Sequence, residues 1–395
     1  MTGYRKEIDT AGLRALAQRL VRTPSLSTQE GAVAAILAEA MTAVGFDDVR
    51  VDRMGNVIGR IGPECERGLL FDGHLDTVGP GDLSAWARDP YGGEVVDGVL
   101  YGRGASDMKG ALAAMVYAGA RLAADKKRLK APVYVVGVVQ EEPCEGLAMR
   151  HIVEVEGIHP AAVVLGEATN LHLARGQRGR IELQVDVRGR SCHASAPDRG
   201  INAIYEATRL VFALQLQAPQ LNNDSFLGKG SLAVTAIASE AGSRNVVPDY
   251  CMVYVDRRLT IGETEATALA EVKRVLSREA IKAEVHIPRY QAASYTGWLC
   301  EQAEVFPPWT TPEDAPLVRQ VSAAVEAELG YAPHLRRWEF STDGVYTAGV
   351  AGIPTVGFGP GEERYAHTVE EQVRLIDLAA AAAVYADLAV RVCGV

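Results

Sequence analysis

The sequence predicts an α/β protein with a mixed sheet flanked by helices, interrupted by a smaller α+β unit. Three observations lead there. Apolar strand-like runs alternate with helical periodicity in the first part of the chain, as in VVGVV at 135–139 beside GALAAMVYAGARLAA at 110–124. The texture changes near 180, where IELQVDVRGR alternates apolar and polar residues as a half-exposed strand does. It returns from about 290, through FSTDGVYTAGVAGIPTVGFGPG to a closing helix. The expected organisation is one discontinuous domain at 1–178 and 290–395, with a second domain at 179–289 inserted between its halves.

Taken in order, residues 8–44 carry helical spacing broken into two helices by Pro24 and Gly31. Beyond Gly45, VRVDRMGNVIGRI and GLLFDGHLDTV read as short strands. A buried helix at 110–124 precedes APVYVVGVVQEE, a strand ending in acids, and HIVEVEG and PAAVVLGEAT give a further helix and strand. In the second unit a strand, a helix at about 200–217, SLAVTAIASE, VVPDYCMVYVDRRL, a helix starting after Gly262-Glu263-Thr264, and AEVHIPRY follow one another. That β-α-β-β-α-β order is ferredoxin-like, with a one-sided sheet. The Ala-rich DLAAAAAVYADLAV carries two aspartates and reads as a packed helix. There is no internal repeat and no low-complexity linker.

The 395 residues, 48% hydrophobic and 23% charged, suffice for a sizeable core and more than one domain. A net charge of −10 weighs against a nucleic-acid or anionic-membrane partner, since both need a basic face. The six cysteines are scattered without a CxxC pair, as expected of reduced thiols in a cytoplasmic protein. The first twenty residues lack a continuous apolar stretch, so no secretion signal is expected. The apolar runs are too short to span a bilayer.

Five short motifs carry chemistry. In GHLDTV at 73–78, a strand runs into His74 and Asp76 follows two residues later, on the same face of a strand. A carboxylate there can accept the second ring N–H of a ligating histidine, although a surface histidine gives the same spacing. In YGRGASDMKGALAAM, Asp107 sits among glycines before a helix, as an N-cap or as a carboxylate placed to bridge two metals. Glu141 and Glu142 end an apolar strand, where neighbours point in opposite directions. They are either solvated charges or two acids with separate duties. Glu167 in VVLGEATN and His367 in GPGEERYAHT complete the set. Several of these acids and histidines fall at the C-terminal ends of predicted strands, where open α/β sheets place their sites.

The succession GHLDTV, GRGASDMKG, EE, GEAT and AHT resembles the M20 metallopeptidase family, which includes acetylornithine deacetylase, succinyl-diaminopimelate desuccinylase, glutamate carboxypeptidase and aminoacylase. WTTPEDAPLV, RGQRGR and the FSTDG segment look closest to its YgeY-type branch, often labelled selenium-metabolism hydrolases. The resemblance implies that His74 and Glu167 bind one Zn2+, Glu142 and His367 another, and Asp107 bridges them, with Co2+ or Mn2+ as substitutes. It implies Glu141 as general base and Asp76 as the partner of His74. It implies that His193 polarises the scissile carbonyl, reaching the partner subunit's site in dimeric members. Asn245 and Arg258 would hold the substrate's carboxylate or acyl end, with Arg257 an equally suitable residue type. Arg178 and Ser341 or Thr342 are further contact candidates.

The implied protein is a cytoplasmic homodimer whose inserted domain serves as lid and dimer interface. Its implied activity is metal-dependent hydrolysis of a small N-acyl or N-carbamoyl amino acid. The alternative is a dipeptidase or exopeptidase of the same fold. Glutamate at the position of Glu167 is usual in the family's deacylases and carboxypeptidases, and aspartate in its dipeptidases and tripeptidases. A catalytically silent binding homologue would lack a ligand or the base, and here every such position is filled.

Overall fold

The computed structural model describes residues 3–65 and 67–394. Its larger sheet runs, edge to edge, through Asp48–Val51, Val57–Ile61, Val133–Val138, Leu69–His74, Ala162–Leu165, Thr355–Gly357, Leu173–Gln177 and Trp309–Thr310, with Leu335–Trp338 also paired to Leu173–Gln177. The four strands from Val133–Val138 to Thr355–Gly357 are mutually parallel, and both edges are antiparallel additions, so the sheet is mixed. The central strands are apolar at successive positions because helices cover both their faces; Leu69–His74 is buried at every residue.

Register levels the strand ends. His74 pairs with Val138, three residues before Glu141, and Asp72 pairs with Leu165, two residues before Glu167. The helices Lys109–Ala123 and Leu375–Cys393 pack together on this sheet. The second is buried continuously from Asp377 to Ala386, much of it alanine, and small side chains permit that close seating.

The smaller sheet is antiparallel, in the order Ser231–Ala238, Tyr250–Leu259, Gly179–Arg188, Ala283–His286. Two helices, Ala203–Gln217 and Glu265–Arg278, cover one face. Ile181, Leu183, Val185 and Val187 meet Cys251, Val253 and Val255 in a core separate from the main one. The chain crosses between the two bodies more than once after 289. The hairpin Arg289–Ala293/Leu299–Ala303 leans on the larger body, where Tyr290 donates to Gln140 Oε1 at 2.6 Å and Tyr295 to the Gly55 carbonyl at 3.0 Å. Val305–Phe306 then pairs with Gly179–Arg188 in the smaller sheet.

The six cysteines are all free thiols. Among the described residues no helix is long and apolar enough to cross a membrane.

Candidate metal centre

His74 is the last residue of its strand and is buried. Its Nδ1 lies 2.8 Å from the main-chain oxygen of Asp76, and 3.8 Å from that residue's carboxylate. The expected carboxylate partner is thus replaced by a carbonyl, because the chain turns after His74 and two-residue alternation stops applying. The Asp76 carboxylate works elsewhere. One oxygen accepts the Glu141 N–H at 3.1 Å, and the other accepts the Glu142 N–H at 3.2 Å and the Ser27 hydroxyl at 2.7 Å.

Those bonds belong to a wider pattern. Strand Val133–Val138 ends before the two acids, so strand alternation does not separate their directions either. Instead, side chains hold each main-chain N–H of the departing segment. Asn56 takes Val139 at 3.0 Å, Glu30 takes Gln140 at 3.1 Å, and Asp76 takes the next two. Gln140 adopts a left-handed φ of 56° there. The result is a rigid shelf carrying Glu141 and Glu142.

Asp107 lies in a tight loop just ahead of helix Lys109–Ala123, and it does not cap that helix, whose N-cap is Met108 without a side-chain bond. Two glycines make the loop feasible. Gly104 has a φ of +85°, and a Cβ on Gly110 would meet the Ala105 oxygen at 2.4 Å. The Asp107 carboxylate faces two histidines. One oxygen is 2.9 Å from His74 Nε2 and the other 3.3 Å from His367 Nε2. His367 Nε2 is also 3.0 Å from Glu142 Oε2, and His74 Nε2 is 3.5 Å from Glu167 Oε1. Donor atoms of His74, Asp107 and Glu142 lie within 4.8 Å of one another, as do those of His74, Glu141 and Glu167.

Negative charge is in excess here. Burial, reinforced by neighbouring acids, lifts Glu141 and Glu167 well above the ordinary carboxylate range. Burial opposes protonation of His74, yet its bond to Asp107 and the charges of Glu167 and Glu141 raise it well above normal. Bonds to Asp107 and Glu142 lift His367 to about 10. Burial works against the Asp107 anion, but the two histidines hold that carboxyl below its usual value. One oxygen of Glu141 is buried without a hydrogen-bond partner among the described residues. The converging carboxylates and imidazoles of His74, Asp107, Glu142, Glu167 and His367 form a donor set suited to a divalent cation.

Asp107, Glu141, Glu142, Glu167 and His367 line a cleft of about 370 Å³ that also includes Arg258 and Ser341. Strand Tyr250–Leu259 decides between the two arginines. Arg257 shares the face of Cys251, Val253 and Val255, is fully buried, and pairs with Glu263 and Glu271. Arg258 points the other way into the cleft and is held in a fork by Asp256 at 2.8 and 2.9 Å. Thr342 is buried against Gln177, and Ser341 accepts from the same glutamine at 3.1 Å. Arg178 does not line the cleft; it is engaged by Glu339 at 2.9 Å and the Lys229 carbonyl at 3.0 Å. His193 and Asn245 also lie outside it, side by side on the smaller body, where the Ala194 N–H donates to the Asn245 carbonyl at 2.8 Å.

Sequence reading missed five residues here. Arg180 and Glu145 line the cleft and bond each other at 2.7 Å. Asp72 and Asp343 lie against each other beneath the acids, and burial lifts Asp343 to about 6. The fifth, Glu371, anchors the Asp107 loop from below. Asp72 had a signal, being an acid inside an otherwise apolar buried strand; Glu371 had none.

A sequence model of peptidase family M20/M25/M40 matches residues 70–391. The chain is 42% identical over 369 residues to the uncharacterised protein YgeY of Escherichia coli (strain K12), covering 93% of this chain and 91% of that one. It is 30% identical over 381 residues to the succinyl-diaminopimelate desuccinylase of Cereibacter sphaeroides, covering 94% and 96%. Its fold is similar to that of a dinuclear metal binding peptidase of family M20 from Bacillus subtilis, with a TM-score of 0.72, 17% identity, and 97% and 98% of the two chains covered.

Proposed function

The chain belongs to peptidase family M20/M25/M40 and is a metal-dependent hydrolase, and from that premise we propose that it uses two Zn2+ ions to cut the amide bond of a small N-acyl or N-carbamoyl amino acid. One observation carries the reading: the Asp107 carboxylate reaches His74 with one oxygen and His367 with the other. That is the posture of a bridging ligand, with Glu167 beside the first histidine and Glu142 beside the second. The similar Bacillus subtilis peptidase is described as dinuclear, which supports the same count here.

Zinc bound there would supply positive charge that lowers the pKa of a water toward neutrality and polarises the scissile carbonyl. The chain's own groups do the rest. Glu141, with one oxygen free of hydrogen bonds among the described residues, takes the proton as the water attacks the carbonyl carbon and returns it to the leaving amine. Asp76 fixes the main chain on which Glu141 stands. Arg258, forked by Asp256 at the cleft wall, presents its remaining N–H groups to the substrate's carboxylate or acyl end. Ser341 offers a hydroxyl at the same cleft.

The unit at 179–289 acts as lid and dimer interface in this reading. Its helix Ala203–Gln217 exposes Tyr205, Phe212 and Leu216 at 69%, 62% and 72%, beside the edge of Ser231–Ala238 that is unpaired among the described residues. Large apolar groups next to a free strand edge suit a self-complementary contact. The partner's His193 and the partner's Asn245 then complete the site that each lacks within its own chain. Free thiols throughout favour the cytoplasm.

A dipeptidase is the second reading, favoured by the Bacillus subtilis neighbour, which is described as a peptidase; Glu167, the residue type usual in the family's deacylases and carboxypeptidases, favours the first. Zinc counting on purified protein, with amine release from N-acyl, N-carbamoyl and dipeptide panels, separates them. Turnover confined to dipeptides would overturn the first reading. Glu141→Gln is expected to keep its zinc and lose about 10²- to 10⁴-fold in turnover; normal turnover would remove Glu141 from the mechanism.

A further inference from the structure

Away from the Asp107 centre, three segments bring Asp52, His151 and Glu156 together. Asp52 stands in the turn between strands Asp48–Val51 and Val57–Ile61. His151 is on helix Leu147–Glu154, and Glu156 lies just past its end. His151 is 6% exposed, and its Nε2 is buried with no hydrogen-bond partner among the described residues. That nitrogen is 3.8 Å from Asp52 Oδ2 and 3.8 Å from Glu156 Oε1.

A separation of 3.8 Å is too long for a hydrogen bond. It is close to the spacing of two donors on one tetrahedral ion, roughly 3.4 Å for bonds of about 2.1 Å. The surroundings hold these donors in place. Asp52 Oδ1 accepts the N–H groups of Gly55 and Asn56 at 2.7 and 2.9 Å, while Oδ2 accepts the Asn56 side chain at 2.8 Å. Arg50 takes the other oxygen of Glu156 at 3.4 Å, and Asp48 at 3.1 Å, leaving Oε1 turned toward His151. Trp298 closes the far side, edge-on to the imidazole with ring centroids 5.4 Å apart.

We propose that Asp52, His151 and Glu156 form a separate site for a divalent first-row transition metal such as Zn2+. One imidazole and two carboxylates match its donor preference. The ion fastens the turn at Asp52 to the end of the helix that follows the catalytic shelf. The same turn supports that shelf directly, since Asn56 accepts the Val139 N–H. Its role is structural, as a clip on the underside of the segment bearing Glu141 and Glu142.

The test counts zinc. Full-length wild type, His151→Gln and Glu156→Gln are saturated with Zn2+, dialysed, and assayed by elemental mass spectrometry together with amide release. The expected result is one equivalent more in the wild type than in either variant, with activity retained in both. Equal zinc in all three would overturn the site. Should His151→Gln not fold, Glu156→Gln carries the comparison, because its side chain is 20% exposed and the hydrogen bond its carboxylate makes among the described residues is to the Arg50 side chain.

Discussion

One oxygen of the Glu371 carboxylate accepts the main-chain N–H of Asp107 at 3.0 Å. The same oxygen takes Gly104 at 2.9 Å and Ser106 at 3.1 Å, and the other oxygen is bonded by the buried guanidinium of Arg103. Glu371 lies four residues past His367, so this single side chain ties the Asp107 loop to the segment that brings His367. Glu371→Ala is expected to weaken zinc binding by roughly 10- to 100-fold. It should also cost about 3–5 kcal/mol of stability by leaving Arg103 unpaired. Glu371→Gln keeps an acceptor for the three N–H groups and should recover much of the affinity but less of the stability. Chelator competition and urea unfolding read the two separately. Wild-type zinc affinity in both variants would end the positioning role.

Arg257 and Arg258 are neighbours with opposite fates. Arg258→Ala is expected to raise KM by about 10- to 100-fold, the worth of a lost charged hydrogen bond, with the melting temperature nearly unchanged. Arg257→Ala removes the partner of buried Glu263 and of Glu271. It should cost about 3–5 kcal/mol while the KM of the folded fraction holds. Kinetics and denaturant melts on both variants check this, and a KM effect in Arg257→Ala alone would reverse the assignment.

That pair also shows what was legible in the sequence. Cys251, Val253 and Val255 already mark the core face of their strand, and Arg257 falls on it by two-residue alternation, so the choice was readable from the pattern. The same rule does not reach Asp76, Glu141 or Glu142. The strands end at His74 and Val138, and beyond those points captured N–H groups set the direction of each side chain. The α/β alternation and the βαββαβ order were readable because they rest on local periodicity. The support from Glu371 to Asp107 spans 264 residues of sequence, and no local pattern encodes so distant a bond. The return of Val305–Phe306 to the smaller sheet is equally non-local.

Glu30 gives a pH signature. Burial, with the charge of Asp76 adding to it, lifts this carboxyl from 4.5 to about 7. The folded chain therefore keeps a proton that the unfolded chain releases. Stability from this group is fully present below about pH 4.5 and is lost as pH rises through about 7. Glu30→Gln cannot ionise, so the stability difference between variant and wild type should move in the variant's favour from pH 5 to pH 8. Urea unfolding of chelator-treated protein at both values measures it. A difference that stays constant would mean that Glu30 does not titrate in this window.

His193 offers the sharpest test of a shared site. It stands on the smaller body outside its own chain's cleft, its Nδ1 occupied by the Ser195 N–H at 3.1 Å. If the partner's His193 stabilises the oxyanion, His193→Ala should lose about 10²- to 10³-fold in kcat and keep its zinc. A Glu141→Gln chain, inactive by itself, still supplies an intact His193. Mixing the two variants under conditions of subunit exchange therefore rebuilds one complete site in each mixed dimer. Equal mixing should restore about a quarter of wild-type activity, because half the dimers are mixed and each carries one of two sites. Recovery must track dimer content in sedimentation. Absence of recovery despite subunit exchange, or full activity in a wild-type monomer, would place His193 outside the reaction of the neighbouring chain.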